Sequence, residues 1–268
     1  MVVARMRVGL NQSCLPGIST AEFVDIAANC GAEAVELRVL GAHESPLAMG
    51  IAARAGGLPV VSVGPLMDWA LPDDPDPTDR LEALLETASA AACDVVICVG
   101  PISERPLPST PDIIAMASEH LARLVQRARG SGARLALEQV GRSSSRPKAV
   151  SGLRTLGDVI AVVDAVGAGA ALCADSYNLA TAGVDYNELA SLPADKIAIA
   201  QIADRDPGSP WRALPGDGDL DLPSFVGALA TSGYAGALSV ETFPQMPWAD
   251  ARAAAGYAVA ATRRLLAH

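Results

Sequence analysis

Short apolar runs recur along the whole chain, each bounded by turn residues and each followed by a longer amphipathic stretch. Runs rich in Val, Ile, Leu and Ala fall at 7–11, 33–38, 59–63, 94–99, 133–138, 169–174, 196–202 and 236–241, and they predict eight strands. The intervening segments read as helices. STAEFVDIAANCG at 19–31 opens on Ser19 or Thr20 as a cap and stops at Gly31, and similar patterns occupy 78–92 and 111–130. Eight strand-plus-helix units without a linker predict a closed (β/α)₈ barrel. An open doubly wound sheet is the alternative, but no GxGxxG follows the first strand. Two polar stretches, LPDDPDPTD at 71–79 and GRSSSRPKAVSG at 141–152, fall at expected βα loops and are candidate lids.

Strand parity places the chemistry. In RLALE (134–138) Leu135 and Leu137 share one face, and Ala136 and Glu138 the other. In the same way Glu36 opposes Val35 and Leu37, Asp175 shares a face with Ala171 and Cys173, Gln201 with Ile197 and Ile199, and Glu241 with Ala237 and Ser239. The large side chains then face the helices, and the small and acidic ones face the barrel axis. Glu36, Glu138, Asp175, Gln201 and Glu241 each end or nearly end their strand, so they converge at the carboxyl mouth, where barrel enzymes carry their sites. Carboxylates gathered in a partly buried space repel one another unless a cation neutralises them or one stays protonated. A divalent metal resolves this most simply.

Composition narrows the chemistry. Thirty acidic residues against 20 basic ones give a formal charge of −10, and no dense Lys/Arg block is present, so nucleic acid is not an expected partner. The opening MVVARMRVGLNQS is too short an apolar run for a signal sequence, and no run is long enough to span a membrane. A soluble, cytoplasmic protein with no membrane partner is expected. Cysteines 14, 30, 93, 98 and 173 lack CxxC spacing and sit mostly among apolar residues, as buried thiols do. His43, His120 and His268 are the only histidines, so a metal site here must draw mainly on oxygen ligands, which favours Mg or Mn. Arg38, Arg142, Arg205 and Arg212 are candidate anchors for an anionic substrate group, and Asp204 is either a loop cap or a support for the site. His43 reads as a loop residue and His120 as a structural one.

The segments VGLNQS, EFVDIAANCGAEAVELR, LALEQ, LCADSYNLATAG, IAIAQIADRDPG followed by LPGDGDLDL, and GYAGALSVETF together resemble the sugar phosphate isomerase/epimerase family. That family belongs to the xylose-isomerase-like TIM-barrel superfamily, and the likeness covers nearly all of residues 1–268 as a single domain. It implies one divalent metal ion, Mn or Mg, held by Glu138, Asp175, Gln201 and Glu241. Gln201 then replaces the family's histidine, as in the bacterial 3-dehydroshikimate dehydratases of the same fold. It further implies that Glu138 and Glu241 act as base and acid on a polyhydroxy carbonyl substrate, through an enediolate. Asn178 stands where the family usually has a second histidine, and an amide there can hydrogen-bond substrate but cannot shuttle a proton. Asn11, Glu36 and Asn178 offer hydrogen bonds to a substrate hydroxyl. The function so implied is a metal-dependent isomerase or epimerase. A metal-dependent lyase that dehydrates a β-hydroxy ketone is the alternative, and a non-catalytic binding barrel is a third. The resemblance also suggests homo-oligomers.

Overall fold

In the computed structural model of the protein all eight apolar runs are strands: β1 (Arg7–Asn11), β2 (Ala34–Arg38), β3 (Val60–Leu66), β4 (Val95–Val99), β5 (Arg134–Glu138), β6 (Ala170–Asp175), β7 (Ile197–Ile202) and β8 (Ala237–Val240). The structure describes residues 5–141, 146, 148–209, 211–243 and 250–267. Every neighbouring pair is parallel, and β1 pairs with both β2 and β8, which closes the barrel. The expected (β/α)₈ architecture is therefore the observed one. A closed parallel sheet is buried on both faces, and the strands from β4 to β8 accordingly contain no exposed residue.

The helices begin where short polar side chains can satisfy free backbone amides. Ser19 caps α1 (Thr20–Asn29), and Ser45 caps α2 (Pro46–Ala55), whose proline needs no amide partner. After α3 (Thr78–Ala91), Ser109 caps α4 (Thr110–Ala128), and Thr155 and Asp158 form a reciprocal capping box at α5 (Leu156–Val166). The β6-to-β7 connection carries only two short helices, α6 (Ser176–Thr181) and α7 (Tyr186–Ala190), and α8 (Leu222–Thr231) and α9 (Ala251–Leu265) complete the ring.

Two features lie outside the predicted pattern. Residues 102–103 pair antiparallel with 150–151, and 204–205 pair antiparallel with 212–213. Each ribbon strand is two residues long, too short to show any hydrophobic period. The candidate lid at 71–79 is held in a turn by Asp74, which accepts the amides of Ala70 and Leu71, and Arg146 makes a two-pronged ion pair to Asp68 beside it. All five cysteines are free thiols, and four of them are buried. Among the described residues no helix is long and apolar enough to cross a membrane.

Candidate active site

The strand register sets the site. Asn11 stands beside Glu36, Asp175 beside Gln201, and Gln201 beside Ser239, all at the carboxyl end of the barrel. One oxygen from each of Glu138, Asp175 and Glu241 lies within 4.8 Å of the other two, and all three residues are buried. Glu241 follows directly after β8, and its amide donates to the carbonyl of Ile202, so it is held in strand-like register. Asn11 donates to Glu36 Oε1 and, at 3.2 Å, to Glu241 Oε1. Asn178 Nδ2 donates to Glu138 Oε1 at 2.6 Å. The Asn178 carbonyl is packed against Gly141, where a Cβ would come within 2.3 Å of it, so the loop after β5 requires glycine here.

The cation among these carboxylates is Arg212. Its Nη1 donates to Asp175 Oδ2 and Glu241 Oε2, each at 2.8 Å, and to the Glu241 carbonyl at 3.1 Å. The guanidinium lies between the rings of Tyr177 and Phe243, 5.1 Å from each centroid, an arrangement that favours a desolvated cation. Its residue is 5% exposed. Burial alone would pull the Arg212 pKa down, but the charges of Asp175, Glu241 and Glu138 outweigh it and hold the side chain cationic. The ribbon that carries Arg212 is organised by Asp204, whose carboxylate accepts from the amides of Arg205, Gly216 and Leu220. That settles Asp204 as a loop-holding residue beside the site.

Burial sets the acidities of the remaining groups. Glu138 is pushed well above the ordinary carboxylate range, first by burial and then by the charges of Glu241 and Asp175. Burial also raises Glu241, with Arg212 opposing it. Burial and the charge of Glu241 push Glu36 up to about 8. A carboxyl whose pKa is higher in the folded than in the unfolded chain binds more protons when folded, so stability falls as pH rises between the two values. In the presence of a chelator, the wild-type protein is expected to lose stability between pH 5 and pH 8. Glu36→Gln, which mimics the protonated form, is expected to remove about 1–3 kcal/mol of that loss. Urea midpoints at pH 5 and pH 8 check this, and parallel losses in both proteins would contradict it.

The residues expected at the site divide clearly. Asn11, Glu36, Glu138, Asp175, Asn178, Gln201, Glu241 and Arg212 come together, whereas Arg205 forms an exposed ion pair with Asp219 at 2.8 Å on the outer side of the ribbon. Arg142 lies outside the described residues. Arg38 lines a cavity of about 10 Å³ with Asn11, Glu36, Glu138, Gln201 and Glu241, room for a single water, and it also lines an outer cavity of about 250 Å³ with Gln12, His43 and Glu44. Gln201 turns its amide nitrogen to Glu36 Oε1 at 2.6 Å, and its oxygen accepts from the Cys173 thiol at 3.3 Å. His43 sits in a loop, and His120 Nδ1 lies 3.0 Å from the Trp69 carbonyl, a structural contact.

An acid-lined carboxyl mouth on a closed eight-stranded barrel defines a class of barrel proteins. The match of residues 24–263 to the family described as xylose isomerase-like TIM barrel then shows that this chain belongs to that family. Among curated proteins it is 27% identical to inosose isomerase of Halalkalibacterium halodurans over 171 residues, 61% of this chain and 58% of that protein. It is 28% identical to 3-dehydroshikimate dehydratase of Pseudomonas aeruginosa over 137 residues, 48% of this chain but 21% of that protein. The matches thus span less than two thirds of either relative. Among solved structures it superposes on the IOLI protein with a binding zinc atom at a TM-score of 0.86, with 20% identity and 98% of each chain covered, a likeness of fold.

Proposed function

We propose that the protein is a metal-dependent isomerase or epimerase that moves a proton at the carbon beside the carbonyl of a sugar or related polyhydroxy compound. The observation that carries this reading is the meeting of Glu138, Asp175 and Glu241 within 4.8 Å at the barrel mouth. Three hard oxygen donors so close together fit a divalent cation such as Mn or Mg. Gln201 would complete the set by turning its oxygen away from Cys173. A cation bound there would supply Lewis-acid polarisation of the substrate carbonyl.

The protein's own groups do the rest. Glu138, steadied by Asn178, takes the proton from the carbon next to the carbonyl. Glu241, held by Asn11, is the partner acid that returns a proton. Asn178 and Asn11 present amide nitrogens to substrate hydroxyls, and Arg38, at the junction of the inner and outer cavities, is placed to hold an anionic group. A lyase that abstracts the same proton and then expels a β-hydroxyl as water is the second reading. Gln201 at the strand-seven position and the likeness to a dehydratase favour it.

Elemental analysis of the purified chain is expected to find about one equivalent of Mn or Mg after incubation with either, lost in Glu241→Gln. Incubation with keto sugars in deuterium oxide is expected to place deuterium beside the carbonyl. A product absorbing as a conjugated enone would turn the reading to the lyase. Absence of both metal and exchange would leave a binding barrel.

A further inference from the structure

We propose that Arg212 is an internal rival of the divalent cation: its guanidinium takes the place between Asp175 and Glu241, and metal enters only as Arg212 withdraws. The inference rests on the metal reading above and concerns what sets the affinity of that site.

The first argument is place. Nη1 lies 2.8 Å from Asp175 Oδ2 and 2.8 Å from Glu241 Oε2, so it sits between one oxygen of each of two carboxylates of the cluster. A Mg ion held by the same two carboxylates would draw its oxygen ligands to roughly 2.1 Å and would need that same space. One space cannot hold both groups. The second argument is charge: a guanidinium left within a few ångströms of a divalent ion in a water-poor site is strongly repelled. Binding of either cation therefore weakens the other.

The third argument is that the arginine is built into its place. Tyr177 and Phe243 flank it, and Asp204 fixes the turn of the ribbon behind it. Withdrawal breaks the two carboxylate bonds and uncovers the rings, while the barrel strands that carry Asp175 and Glu241 stay as they are. The metal-free barrel thus has its own counter-ion, and its affinity for metal is lower than three convergent carboxylates would otherwise give.

Two measurements on the full chain test this. Calorimetric titration with Mn²⁺ is expected to show Arg212→Gln binding about 10–100-fold more tightly than wild type, the range by which neighbours of metal ligands alter affinity. Binding by the variant alone also supports the proposal, because it means that Arg212 shuts the metal out completely. The second measurement uses the wild-type protein, so it decides the matter even where Arg212→Gln does not fold. Phenylglyoxal modification of Arg212, followed by mass spectrometry, is expected to be slow with a chelator and several-fold faster at saturating Mn²⁺. Equal or weaker Mn²⁺ binding by the variant overturns the rivalry and leaves the metal centre standing, as does unchanged labelling of Arg212 in the metal-saturated protein. Failure of both proteins to bind Mn²⁺ overturns the metal reading and the rivalry together.

Discussion

Glu138→Gln is expected to lower the rate of solvent-deuterium exchange into a keto-sugar substrate by about 10²–10⁴-fold, the usual worth of a positioned base. Of the three clustered carboxylates, Asp175 and Glu241 accept hydrogen bonds from Arg212, whereas Glu138 accepts from the neutral amide of Asn178. A carboxylate bound by a guanidinium is a weak base, because the ion pair favours its charged form. Glu138 lacks that hydrogen bond, and in the metal-free site burial and the charges of Glu241 and Asp175 raise its pKa. Gln at this position keeps the shape and an oxygen for Asn178 while removing the ability to take a proton. The variant should therefore fold normally. Unfolding midpoints establish that, and deuterium content by mass spectrometry gives the rate. A variant that exchanges within about threefold of wild type would remove Glu138 from the role of base.

The strand-borne part of the site was legible in the sequence, and the loop-borne part was not. Glu36, Glu138, Asp175, Gln201 and Glu241 could be placed because period-two alternation assigns each to a face, and the position within the strand assigns it to an end. Neither rule reaches Arg212. It lies on a two-residue ribbon with no periodicity, seven residues after Arg205, with Asp206 between them. From sequence the two arginines look alike as loop cations, yet Arg205 faces outward to Asp219 and Arg212 turns inward to the carboxylates. The distinction depends on the turn held by Asp204, a tertiary arrangement. The need for a neutralising charge was nevertheless readable, since convergent acids demand one. The chain itself supplies one such charge. The direction of the Gln201 amide was equally hidden, because it follows from hydrogen bonds to Glu36 and Cys173 on two other strands.

Asp175→Ala is expected to lower the stability of the metal-free protein by about 2–4 kcal/mol, the cost of taking from a buried arginine its hydrogen bond to one of its two carboxylates together with a helix cap. Asp175 is 1% exposed and uses both oxygens: Oδ2 accepts from Arg212, and Oδ1 accepts the Asn178 amide at 2.6 Å, capping α6. The substitution thus removes a counter-ion and a helix cap together, the cap being worth about 1 kcal/mol. Asp175→Asn separates the two effects, because its amide oxygen still caps α6 but carries no charge, so it should recover only about that 1 kcal/mol. A further arm measures the coupling: adding Arg212→Met to Asp175→Ala, in which Arg212 keeps Glu241 alone as its partner, should cost less than Arg212→Met costs the wild-type protein. Urea unfolding with chelator present, at constant m-value, measures all five proteins. A loss below about 1 kcal/mol in Asp175→Ala, with Arg212→Met costing the same in both backgrounds, would mean that Asp175 and Arg212 are not coupled in the folded chain. The predicted order instead ties the stability of the metal-free barrel to the same contact that opposes metal entry.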